Sequence, residues 1–252
     1  MTLHVAREGV VWSGAEIGIL VLDERIPRVP GSVGYAGTFS YPVRYKRVAG
    51  ATVDRLVRDH DREMEELFVS AALELQRDGV AAVVGCCGFM ALFQRAVSAA
   101  LRVPALLSSL MQLPGIAAMM PAERKIGVIT ASAPSLTDDL LRAAGIKTAF
   151  SRLCVYGLED KPEARGALFE QKGTLDDEQM RAEVLDTARR MLRENEDVAV
   201  LLLECSELPP YSRDVQTATG LPVFDFVTMI DYLRAGLAQR GYGHFSRGDT
   251  RA

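Results

Sequence analysis

The sequence predicts an α/β fold of two similar lobes, each a parallel sheet flanked by helices. Three observations carry this. Short apolar runs alternate with amphipathic stretches along the chain. The apolar runs lack period-two alternation, as expected of strands buried on both faces of a parallel sheet. A coarse echo also relates the two halves. IGILVL or IGVIT comes early in each, and GVAAVVGCC or DVAVLLLEC comes later, with Cys87 and Cys205 118 residues apart.

The elements follow in order. IGILVL, within Gly14 to Asp23, is a buried strand. The stretch from Glu24 to Pro42 has three prolines and three glycines, which argue for a loop. A loop this long is unusual in a compact α/β unit and points to a binding segment or a lid. VRYKRVAG adds a short strand. Asp54 to Asp78 reads as an amphipathic helix or helix pair, with Met64, Leu67, Phe68, Ala71 and Leu75 on one face. Gly79 to Gly85 is a strand, and a helix follows from Phe89. Val103 to Ser108 is a strand and MQLPGIAAMM a helix. After the hydrophilic break PAERK, IGVIT is a strand, and a helix runs from about residue 134 to Gly145. Ser151 to Asp177 is polar and less regular. Glu178 to Glu194 is a charged amphipathic helix, VAVLLLE a buried strand, and TGLPVFDFVTMIDYLRAGLA a last short strand and helix. These elements predict a first lobe over residues 1–122 completed by 223–245, a second over 123–222, and a flexible tail at 246–252.

Composition narrows the function. The chain has 252 residues, 48% hydrophobic and 25% charged, with a formal net charge of −4. That is enough apolar material for a real core. No basic stripe suggests a nucleic-acid partner. No apolar run is long enough to span a bilayer, and the opening MTLHVAREGVVWSG lacks a secretory pattern. The expected location is the cytoplasm. Four cysteines without a Cys-x-x-Cys pair, beside three histidines, leave little for structural zinc. No Gly-x-Gly-x-x-Gly, phosphate-binding lysine loop or pyridoxal-phosphate lysine stands out. Neither metal nor cofactor is expected. MQLPGIAAMM fits either a subunit interface or a filled core, and a homodimer is the expected assembly.

Cys87 and Cys205 end their strands at the carboxyl edge, where ligands bind in parallel sheets. Gly88 lets backbone approach a ligand closely. The helix from Phe89 would aim N–H groups at Cys87, which favours a thiolate and a bound carboxylate alike. The plain alternative is that a free cysteine is simply core. Cys154, in SRLCVYGL, is read as core, and Cys86 as core or a neighbouring thiol.

GCCGFMALFQ and LECSELPPYS resemble the two cysteine motifs of the aspartate/glutamate racemase superfamily, which includes hydantoin racemases, maleate isomerases and arylmalonate decarboxylases. The opening IGILVLDERIPRVPGSVGYAGTFSYPVRY is similar to the start of another branch, and the resemblance runs over roughly residues 14 to 240. Glu204 to Pro209 resembles the pattern Gly-Cys-Thr-(His or Glu)-x-Pro. The first motif departs from the usual Cys-Asn-Thr, because Gly88 and Phe89 follow Cys87.

The resemblance implies two lobes facing each other across a cleft, with a cysteine from each. One thiolate removes the proton α to a carboxylate and the opposite thiol returns one, without a cofactor. Backbone N–H groups near Gly88, Phe89 and Ser206 would steady the enediolate charge. Thr130 and Ser132 sit where the superfamily directs hydroxyls at the carboxylate, though both also suit helix caps. Glu207 would orient Cys205 or hold an ammonium group, or else is a solvated loop acid. Tyr41, Pro42 and Val43 end the long loop and are assigned to the pocket wall. Arg44 and Thr38 are lesser candidates, and Asp23 is read as capping a turn. The expected function is therefore a racemase or epimerase of a small carboxylate substrate. A maleate-type isomerase, a malonate-type decarboxylase and a non-catalytic carboxylate binder remain open alternatives.

Overall fold

A computed structural model describes residues 13–146 and 150–239. The expected tail at 246–252 lies outside them. The first sheet contains β1 (Ile17–Val21), β2 (Val43–Arg47), β3 (Ala82–Gly85) and β4 (Ala105–Leu106). The second contains β5 (Lys125–Thr130), β6 (Leu153–Gly157), β7 (Val198–Leu203) and β8 (Val223–Phe224). Every pairing is parallel. The orders are β2-β1-β3-β4 and β6-β5-β7-β8. These are one topology used twice, so the internal echo is architectural. Cys87 follows β3, and Cys205 follows its counterpart β7.

The helices are α1 (Glu65–Arg77), α2 (Gln94–Ala100), α3 (Leu113–Met119), α4 (Asp138–Ala143), α5 (Pro162–Ala164), α6 (Asp177–Glu194), α7 (Ser212–Thr219) and α8 (Phe226–Leu237). Local chemistry sets their ends. Asp176 caps α6 by accepting from the N–H groups of Glu178 and Gln179. Asp225 and Thr228 form a reciprocal capping box at α8. The expected helix or helix pair from Asp54 divides at His60, whose φ of +49° turns the chain out of the helix. A π-helical turn (Asp54–Arg58) precedes that break, and a 3-10 turn (Arg62–Met64) leads into α1. The segment read as less regular holds β6, α5 and a π-helical turn over Arg165–Phe169.

One core cluster runs through both lobes, joining Leu20, Phe68 and Phe93 to Ile126, Val128 and Leu202. Another packs α8, through Phe226, Met229 and Ile230, onto Ile17, Ile19 and Val84 of the first sheet. Just before α8, Val223 and Phe224 of β8 pair with Leu201 and Leu202 of β7 in the second sheet. Among the described residues no helix is long and apolar enough to cross a membrane.

Candidate active site

The carboxyl ends of the two sheets face a shared, narrow cavity. The first lobe contributes Leu22, Glu24, Ile26, Val53, Val57 and Cys86 through Phe89. The second contributes Ala131, Leu168, Phe169 and Glu204 through Glu207. Cys87 and Cys205 thus reach one cavity from opposite lobes. The backbone N–H of Phe89 beside Cys87 and that of Glu207 beside Cys205 pull the two thiols down. Burial pushes both thiols well above their usual range, and the charge of Glu204 adds to the rise at both. Cys86 is core, raised to about 12 chiefly by burial.

Glu204 is a site residue that the sequence alone does not mark. It is 1% exposed. The Thr130 hydroxyl donates to its Oε2 at 2.8 Å, while Oε1 has no hydrogen-bond partner. Its carboxyl packs on Gly88, where a Cβ would fall 1.5 Å from Oε1. The departure from Cys-Asn-Thr therefore has a steric cause. The space beside Cys87 is filled by a carboxyl from the other lobe, which any side chain at 88 would have to displace. Burial pushes Glu204 up to about 7, against the Thr130 hydrogen bond, which lowers it.

The opening half of the long loop forms a strap across the cavity. Arg28 pairs with both Glu24 and Glu207. The Val33 N–H donates to the Ser206 carbonyl at 3.1 Å, and the Tyr45 hydroxyl holds the Val33 carbonyl at 2.7 Å. Gly31, with φ +99°, lies where a Cβ would be 2.9 Å from Pro210 Cα. Ser206 ties the two cysteine motifs together by donating to the Cys86 carbonyl at 2.9 Å. Glu207 is 4% exposed and is pushed up to about 7 by burial, which outweighs the opposing pull of Arg28.

Several other assignments change. Tyr41, Pro42 and Val43 do not line this cavity. They lead into the amino end of β2, and in a parallel sheet that edge lies opposite the carboxyl edge; Tyr41 instead donates to Asp231 at 2.7 Å. The hydroxyl of Thr130 is directed at Glu204, and that of Ser132 donates to Ser135 Oγ at 2.8 Å within its own turn. The lining residue between them is Ala131. Arg44 pairs with Asp78 at 2.6 Å, Thr38 donates to the Ser32 carbonyl within the loop, and Asp23 accepts from the Gly50 N–H. Glu24, Ile26 and Arg28 escaped the sequence reading because nothing local marks which half of a loop crosses a cleft. Among the described residues no group of three or more His, Cys, Asp and Glu is arranged to hold a metal ion.

This architecture is shared with solved structures. A sulfate-associated variant of arylmalonate decarboxylase matches with a TM-score of 0.58 at 20% identity, over 90% of this chain and 98% of that one. A glutamate racemase isoform from Bacillus anthracis matches with a TM-score of 0.57 at 14% identity, over 88% of this chain and 81% of that one. The fold is that of the aspartate/glutamate racemase superfamily. No family model matches the sequence. Curated relatives are more similar. A dimethylsulfoniopropionate lyase of Durusdinium sp. clade D is 30% identical over 227 residues, 88% of this chain and 75% of the relative. Dimethylsulfoniopropionate lyase 6 of Emiliania huxleyi is 31% identical over 229 residues, 88% of this chain but 59% of the relative. The chain belongs to the family of these lyases, and so to a family of enzymes.

Proposed function

We propose that this protein is a cofactor-independent lyase. It removes a proton α to a carboxylate with a cysteine thiolate and expels a dialkyl sulfide from the β carbon, with dimethylsulfoniopropionate as the leading substrate. The observation that carries the reading is the pairing of Cys87 and Cys205, one from each lobe, in a single cavity with acidic and apolar walls. The name of the relatives supplies the reaction.

The thiolate takes the Cα proton. The C–H electron pair becomes the Cα–Cβ double bond. The Cβ–S bond breaks, and its pair stays on sulfur, which leaves as neutral dimethyl sulfide. Acrylate remains, and the thiol passes its proton to water. The opposite thiol and the backbone N–H groups of the two motifs face the carboxylate as charge develops on it. The same pair of thiols also suits two-base inversion at carbon, so racemisation of a chiral carboxylate is the second reading. Isomerisation of maleate and decarboxylation of a malonate have no separate support from the cavity.

Incubation in D2O followed by NMR separates these readings. The panel contains dimethylsulfoniopropionate, chiral amino and hydroxy acids, hydantoins, maleate and substituted malonates. Acrylate and dimethyl sulfide from the first substrate alone are the expected result. Deuterium at Cα with loss of optical purity in a chiral acid, and no acrylate, would replace the lyase reading with racemisation.

A further inference from the structure

Three carboxyl groups line the cavity, and they are not equivalent. Glu24 and Glu207 share Arg28. Glu204 has no cation beside it among the described residues. Its one hydrogen bond is from Thr130, and its Oε1 is buried and unpartnered. A buried carboxylate in that condition is unfavourable unless a proton or a cation joins it. The surrounding wall is built for a particular kind of cation. Leu22, Ile26, Val57, Phe89 and Phe169 offer methyl-sized apolar contacts and aromatic rings rather than hydrogen-bond acceptors. Such a lining suits a cation with no N–H to donate, held by charge and by ring faces. A hydrated ammonium or metal ion would find acceptors only in the carboxyl groups and Ser206, and its remaining shell would face these apolar side chains.

We propose that Glu204 is the counter-ion of the substrate's onium group and the residue that selects alkylated cations, sulfonium or quaternary ammonium, over neutral isosteres. The inference rests on the lyase reading for its substrate but can be tested without turnover. Glu204 directly precedes Cys205, and its carboxyl packs on Gly88 beside Cys87. A cationic group at Glu204 therefore brings the carbon two bonds away, Cα, toward the thiols. Gly88 and Glu204 act as a matched pair, since any side chain at 88 would displace the carboxyl.

The test compares binding of 3-(trimethylammonio)propionate, which has the charge but a poor leaving group, with that of 4,4-dimethylpentanoate, its neutral isostere. Calorimetric titration of the native protein should show a preference for the cation of about 10- to 100-fold. Glu204→Gln should reduce the preference to under threefold, with the neutral acid bound as before. The amide keeps the shape and the Thr130 contact, and thermal unfolding confirms that the variant is folded. A variant that keeps the native preference would overturn the inference. So would a native protein with no preference. Release of dimethyl sulfide by a protein lacking the preference would remove the role of Glu204 and leave the lyase reading intact. A Glu204-dependent preference without any release would do the reverse.

Discussion

An ionised Glu204 is held at an electrostatic cost. Its carboxyl is pushed up to about 7 by burial, from an ordinary value of 4.5. Between those values the native state binds more protons than the unfolded chain. Its stability is therefore intact at low pH and lost as pH rises through 7. Glu204→Gln carries no such charge. At pH 8 the variant should be more stable than the native protein by on the order of 3 kcal/mol, and the gap should narrow toward pH 5. Urea unfolding at the two pH values measures it, and a gap independent of pH would contradict the assignment. The two cysteines were legible from sequence because each directly follows a buried apolar run. Glu204 was not, because an acid at a strand end looks the same whether it meets solvent or the opposite lobe. Its signal was the missing side chain at Gly88, 116 positions away, and only the packing of the two lobes explains that gap.

At the scale of elements, the strap over residues 24–33 runs along the cavity and is fastened to the second lobe through Arg28 to Glu207 and Val33 to Ser206. Gly31 is its tightest point, since an alanine there would combine a positive φ with contact on the Pro210 backbone. Gly31→Ala should destabilise the protein by about 1–3 kcal/mol. It should also loosen the strap from Ser206, so that iodoacetamide alkylates Cys205 faster than in the native protein. Peptide mass spectrometry reads the rate, and an unchanged rate would show that the strap does not control access. Sequence identified the loop by its prolines and glycines but assigned the wrong half to the pocket. The error is geometric. A chain leaving β1 starts at the carboxyl edge and must reach the amino edge to enter β2, so Glu24 and Ile26 line the cavity, and Tyr41, Pro42 and Val43 lie at the far side. The strands themselves were legible because burial on both faces leaves nearly unbroken apolar runs. β6 was partly masked by the polar residues around Leu153–Gly157, and the break at His60 rests on one positive φ that composition does not reveal.

At the scale of the whole molecule, one topology is used twice, so β3 and β7 deliver equivalent cysteines to a shared cavity. The lobes are not independent. A continuous core joins Phe68 and Phe93 to Ile126 and Leu202, and α8 carries the chain end back onto the first sheet. Thermal unfolding should therefore be one calorimetric transition with matching calorimetric and van't Hoff enthalpies; two resolved transitions would separate the lobes. The twofold plan was legible in IGILVL, IGVIT and the two cysteine-ended strands, while the crossing of β8 into the second sheet was not, since two residues carry little pattern. The proposed reaction draws on both halves. The most direct measurement is headspace detection of dimethyl sulfide from dimethylsulfoniopropionate by the native protein and by Cys87→Ser and Cys205→Ser. The account predicts release by the native protein and at least a 100-fold lower rate in each folded variant. No release by the native protein, or release that survives both substitutions, would contradict it.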